Sequence, residues 1–208
     1  MLTNNEREIA LVLAEALAEY GLTEHLAQYG EKETSEWFFE CSLKHEGFWF
    51  SGGASKFCIG HSDLPNWVLK IGYTEYVSCD YAAYEYKVYC AAKEAGLEKY
   101  FPETIFLGEF CGRAFYIQER ATCVESLVSH EWHSRLCQEH DLYGEEYSED
   151  EVWDELDELD DESICMLSFG DEYLCYFLIK NRVGDLHEGN FGYINGELVI
   201  VDFSGWRG

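Results

Sequence analysis

GDLHEGNFGYINGELVIVDFSG (Gly184–Gly205) sets Asp185, Asn190 and Asp202 around an Asn-Gly dipeptide. Asn195-Gly196 suits a two-residue type I′ turn, because both residues tolerate positive φ. FGYI and ELVIV are then antiparallel partners, and the open end of their hairpin brings Asn190 close to Asp202. Asp185 sits on the loop just before it. An amide oxygen with a carboxylate can hold Mg2+, which takes oxygen ligands and keeps waters that a phosphate can replace. A separate carboxylate upstream can accept a proton from a hydroxyl nucleophile. The plain alternative is a polar turn beside an ordinary hairpin.

The rest of the chain limits the company this hairpin can keep. A length of 208 residues suits one domain or two small lobes. With 47% hydrophobic and 16% aromatic residues there is material for a sizeable core. The net charge of -27 repels phosphate backbones and anionic membranes, so direct nucleic-acid binding is not expected and a cationic partner is. Halophilic adaptation is another source of such acidity. Nine cysteines, none at CxxC spacing, read as reduced thiols of a cytoplasmic protein rather than a disulfide framework. MLTNNEREIA lacks the basic and apolar runs of a signal peptide. No stretch approaches the roughly 18 apolar residues of a membrane span.

Periodicity supplies the elements. NEREIALVLAEALAEYG predicts a helix with a capping box from Asn5 and Glu8, an apolar stripe of Ile9, Leu13, Leu17 and Tyr20, and Gly21 at its end. A short helix follows Thr23. EWFFECSL, GFWF, KFCIG and NWVLKIG read as strands. DYAAYEYKVYCAAKEAG returns to helical spacing and stops at Gly96. ETIFLGEF and RAFYIQER are two more strands joined near Cys111-Gly112. VESLVSHEWHSRLCQEHD reads as a helix. So does the acidic segment 145–162, with Ser148 and Glu151 as a capping box and Val152, Leu156 and Leu159 as a narrow stripe. DEYLCYFLIKNRV is a buried helix that leads into the hairpin.

Set in this order, the motifs resemble the protein-kinase-like superfamily. D-L-H-E-G-N followed by V-I-V-D-F-S-G is similar to that superfamily's catalytic loop and metal-binding D-F-G element. Its D-x-H-x-G-N form resembles the aminoglycoside and choline kinase branch, and also the small host-shutoff Ser/Thr protein kinases of tailed phages. The resemblance implies Asp185 as catalytic base and Asn190 and Asp202 as Mg2+ ligands. WVLKIG looks like the third strand of the kinase N-lobe, which implies that Lys70 contacts the ATP α/β-phosphates. Glu85 on the next helix would be its partner, preferred over Glu75 and Glu94. SGGASKFCIG stands where a phosphate-covering loop belongs, with Gly52, Gly53 and Ser55 only partly matching G-x-G-x-x-G. FYIQERA resembles the strand entering a hinge, with Gln118 as gatekeeper and backbone groups of Glu119 and Ala121 on adenine. No A-P-E element follows Asp202, so the phosphoryl acceptor is left open.

The implied fold is α+β, a two-lobe protein-kinase-like fold with a reduced C-terminal lobe. Residues 1–119 would form a helical cap plus a β-rich nucleotide-binding lobe, and 120–208 a reduced helical lobe with the catalytic loop and hairpin. The implied function is Mg-ATP-dependent phosphoryl transfer to Ser/Thr on a protein. The rivals are a small-molecule kinase for an aminoglycoside-like polycation, and a non-catalytic acidic protein that binds and inhibits a basic partner. In either protein reading the acidic segment 145–162 is a candidate docking face, against the plainer reading of a solvated helix. His187 is a loop brace or a phosphate contact. His130, His133, Cys137 and His140 are zinc-ligand types, but ten helical residues rise about 15 Å and cannot all reach one ion.

Overall fold

In the computed structural model the described residues are 1–28, 31–40, 47–52, 56–72, 80–123, 161–184, 186 and 188–203. They show a mixed α+β chain. The chain divides into two units: residues 1–94 with 102–120, and residues 95–101 with 121–208. The sequence-based boundary at 119/120 left the excursion 95–101 in the first unit.

Unit 1 begins with α1 (Asn4–Glu19). Its N-cap is Thr3, whose hydroxyl accepts from the Glu6 N–H at 3.2 Å while Glu6 reaches back to the Thr3 N–H at 2.8 Å. The capping box is therefore Thr3/Glu6, two residues earlier than the expected Asn5/Glu8. This cap has tertiary as well as local support, because Trp67 Nε1 donates to Glu6 Oε1 at 3.2 Å and ties the cap to the sheet. The buried stripe also differs from expectation. Ala10, Ala14 and Leu17 face the core, while Tyr20 is exposed. Ile9 and Leu13 are half-buried and pack against the same core, as expected.

After α2 (Leu22–Gln28) comes α3 (Glu31–Glu40). This corrects the strand expected for EWFFECSL over the portion described. EKETSE is rich in helix formers, and Phe38 fills the core from a helix, meeting Phe50 at 4.8 Å and Phe57 at 5.9 Å between ring centroids. Five strands follow: β1 (Phe48–Gly52), β2 (Lys56–His61), β3 (Trp67–Gly72), then α4 (Tyr81–Ala95), β4 (Thr104–Phe110) and β5 (Arg113–Glu119). They pair antiparallel throughout, in the order β1-β2-β3-β5-β4. The β4–β5 turn holds Cys111 at φ 48° and Gly112 at φ 76°.

Period-two alternation gives this sheet two different faces. Phe57, Ile59, Leu69, Ile71, Phe115 and Ile117 join the core built with α1 to α3. Lys56, Cys58, Lys70, Tyr116 and Gln118 alternate with them and therefore point to the opposite side. There α4 packs, with the Tyr86 ring 5.5 Å from Tyr116 and 6.3 Å from Phe106.

Unit 2 carries the 3-10 turn Glu98–Tyr100, β6 (Thr122–Cys123), α5 (Asp161–Phe169), α6 (Glu172–Lys180), a second 3-10 turn Glu188–Asn190, and the hairpin β7 (Phe191–Ile194) with β8 (Glu197–Ile200). β6, β7 and β8 form an antiparallel three-stranded sheet in that order. The helices and acidic segment expected between 124 and 160, including the four zinc-type residues, lie outside the described residues. So do Asp185 and His187.

Asp171 is the N-cap of α6, accepting from the Tyr173 N–H at 3.0 Å and the Leu174 N–H at 3.1 Å. Tyr100 Oη donates to its other oxygen at 2.5 Å. The Tyr100 hydrogen bond first, and then the two backbone N–H groups, hold the Asp171 carboxyl below the usual carboxylate range. The unfolded chain then binds the proton more readily, so this contribution is complete above about pH 3.9 and fades as pH falls through the lower folded-state value. Asp171→Ala is expected to cost about 1 kcal/mol at neutral pH. Urea titrations of the variant should lose part of the acid limb seen in the wild type. An unchanged limb would mean that other carboxylates govern it.

Candidate functional site

β3 delivers Lys70 to the α4 side of the sheet, next to Tyr116 in register. Burial, and after it the negative charge of Asp80, push the Tyr116 phenol up to about 12. The ring therefore stays neutral beside the lysine at ordinary pH. α4 brings Glu85, which is completely buried. Lys70 Nζ donates to Glu85 Oε2 at 2.7 Å. The rivals within reach of the sequence are different in kind: Glu94 is exposed and Glu75 lies outside the described residues.

The carboxylate has further partners. Lys56 Nζ, from the first residue of β2, lies 3.1 Å from Glu85 Oε1. Gln118 Nε2 approaches Glu85 Oε2 at 3.5 Å and donates to Thr104 Oγ1 at 3.0 Å. The Thr104 hydroxyl in turn donates to the Pro102 carbonyl at 3.0 Å. A buried polar row thus runs Lys56, Glu85, Lys70, Gln118, Thr104, with both lysine side chains only 5% exposed. A charged row at this depth is held by pairing, since an isolated buried charge costs several kcal/mol. Lys56 was absent from the sequence reading. A lysine directly after a glycine-rich turn looks solvated, and only the fold reveals its burial.

β1 and β2 frame the loop expected to cover phosphate. Gly52 ends β1 and pairs with Phe57; Gly53 and Ser55 lie outside the described residues. Further along the same ribbon, a Cβ on Gly60 would fall 2.0 Å from Trp49 Cε2. The indole therefore lies against bare β2 backbone, and any side chain at position 60 would displace it. The Arg120 guanidinium sits 4.6 Å from the Trp49 ring centroid.

The expected hinge starts where β5 ends. The Glu119 N–H donates to the Glu103 carbonyl at 2.9 Å, and the Arg120 N–H to the Asn66 carbonyl at 2.8 Å. Any contact from Glu119 backbone to adenine would go through its carbonyl. Ala121 belongs to unit 2. There Gly192 is needed for close approach: a Cβ on it would be 2.7 Å from Ala121 Cβ and 3.0 Å from the Thr122 carbonyl oxygen.

Within unit 2 the hairpin closes through Asn195 at φ 53° and Gly196 at φ 86°, both left-handed as a type I′ turn requires. Phe191 pairs with Ile200, and the Val201 N–H donates to the Asn190 carbonyl at 2.9 Å. Asn190 and Asp202 thereby leave the same end of the hairpin. Asn190 is buried and Asp202 half-buried. The next residue, Phe203, is fully buried and meets the Phe101 ring edge-on at 5.0 Å, while Phe101 meets Phe177 at 5.9 Å. This aromatic anchor fixes the chain on which Asp202 rides.

Asn190 and Asp202 supply an amide and a carboxylate oxygen, the donor chemistry that Mg2+ takes. Among the described residues no group of three or more His, Cys, Asp or Glu side chains could hold a metal ion. A magnesium ion here would depend on those two side chains, waters and the oxygens of a bound phosphate. Among the described residues no helix is long and apolar enough to cross a membrane. Compared with protein families, with known proteins and with solved structures, the chain matches none, and its chemistry rests on its own residues.

Proposed function

We propose that the chain is a Mg-ATP-dependent phosphotransferase of the protein-kinase-like type, acting on Ser/Thr hydroxyls of a protein in the cytoplasm. The observation that carries this reading is the buried Lys70–Glu85 pair at 2.7 Å, with the lysine on the third strand of an antiparallel sheet and the glutamate on the helix that follows. A kinase needs that pair intact to orient the lysine toward ATP phosphates. Asn190 and Asp202, emerging from one end of the β7–β8 hairpin, support the same reading as ligands for magnesium. Asp185, five residues before Asn190, is assigned as the base that orients the hydroxyl. Catalysis by such a set is positioning and charge neutralisation rather than covalent chemistry. The two-lobe arrangement with a reduced C-terminal lobe is part of the proposal.

The test is transfer of labelled γ-phosphate from Mg·ATP by purified protein, alone and with cell extract. Wild type should label itself or a discrete band. Asp185→Ala and Asp202→Asn should each lower transfer by about 10²-fold or more, and chelating magnesium should abolish it. A wild type that transfers nothing under either condition would overturn the reading in favour of an acidic binding protein. Transfer to a polycationic small molecule and to no protein would correct the acceptor.

A further inference from the structure

We propose that Lys56 is a second phosphate-binding ammonium, acting beside Lys70 at the same carboxylate; this rests on the reading of Lys70 as a nucleotide contact. Three observations converge. The two oxygens of Glu85 are divided between the lysines, Oε1 to Lys56 at 3.1 Å and Oε2 to Lys70 at 2.7 Å. One carboxylate thus positions two cations, and Gln118 adds a third donor to it. Two ammoniums are thereby brought to one carboxylate in a chain whose net charge is -27, and paired ammoniums are the group that the oxygens of a polyphosphate engage.

The second observation is register. Lys56 pairs with Gly72 and Cys58 with Lys70, so both ammoniums leave the same sheet face from neighbouring strands. The third is position in the chain. Lys56 opens the strand that returns from the β1–β2 turn, at the foot of the segment assigned to cover phosphate. A single lysine offers one point charge. Two lysines flanking a shared carboxylate can engage different phosphate groups of a di- or triphosphate. The ligand class is therefore a polyphosphate, with AMP and adenosine as poor ligands.

Calorimetry with ATP, inorganic tripolyphosphate and adenosine separates this role from a structural one. Lys56→Met should weaken ATP and tripolyphosphate by about tenfold or more while leaving adenosine unchanged, and Lys56→Arg should stay within about threefold of wild type. Equal weakening of all ligands, or none, would overturn the proposal. Independently of any variant, an acyl-phosphate derivative of ATP should acylate Lys56 as well as Lys70 in the wild type, and excess ATP should suppress both. Acylation of Lys70 alone would overturn it. If wild type transfers phosphate and Lys56→Met does so equally well, the role of Lys56 fails and the kinase reading stands. If tripolyphosphate binds through Lys56 but no label is transferred, the kinase reading fails and the anion site stands. If wild type binds neither ATP nor tripolyphosphate, both fail.

Discussion

Glu85→Ala should be among the most damaging single changes to unit 1, costing about 3–5 kcal/mol. The reason is asymmetric. Glu85 is fully buried between Lys56 and Lys70, whose side chains are 5% exposed. Removing the carboxylate takes from two nearly buried ammoniums the anion that they share. Against a typical net stability of about 5–15 kcal/mol for a whole domain, that is a large fraction. The informative comparison is Lys56→Met with Glu85→Leu and Lys70→Met together. An apolar replacement of a complete buried ionic group is often neutral or stabilising. The triple variant should therefore recover much of the urea midpoint that Glu85→Ala loses, while remaining without phosphoryl transfer. A Glu85→Ala protein within about 1 kcal/mol of wild type would mean that water reaches the triad and screens it.

The second large effect is expected at Phe203. Its ring is fully buried against Phe101, and truncation to alanine opens a cavity worth about 3–5 kcal/mol. Phe203→Leu should cost less, because it refills part of that space. The functional consequence should exceed the thermal one. Asp202 is held on one side by the β8 ladder and on the other by this anchor, so losing the anchor frees the carboxylate assigned to magnesium. Melting curves beside phosphoryl transfer at several magnesium concentrations would check this. Phe203→Leu should fold at the assay temperature and need more magnesium than wild type. An unchanged magnesium dependence would separate Asp202 from the metal.

Much of this was legible because local chemistry and tertiary need agreed. Asn195-Gly196 made the type I′ turn its residues favour, and Cys111-Gly112 joins the two strands on either side of it. The lysine of NWVLKIG and the glutamate of DYAAYEYKVY could be matched because strand and helix periodicities place each side chain on a definite face. Failures came where a residue's neighbours are remote in sequence. EWFFE has β-favouring aromatics, yet Phe38 is claimed from a helix by Phe50 and Phe57. Glu6 was passed over as a cap because the Trp67 indole that secures it lies across the unit. Lys56 carries no signal of its own, since nothing beside it in sequence announces Glu85. The hydrogen bond from Gln118 to Thr104 likewise depends on the β4–β5 register, which no neighbour in sequence announces.

The excursion of residues 95–101 into unit 2 also bears on how the chain acquires its shape. The polypeptide leaves unit 1 after α4, returns for β4 and β5, and leaves again at Ala121. Phe101, an early residue of unit 2, waits for Phe177 and Phe203 before its ring is enclosed. Closing contacts over that span carries a high loop entropy and slows folding. During synthesis, a nearly complete unit 1 would carry an unsatisfied aromatic hook until the last strands emerge. Cutting the gene at residue 120 would strand that hook permanently, so the two units are expected to express poorly apart and to be recovered best as one uninterrupted chain.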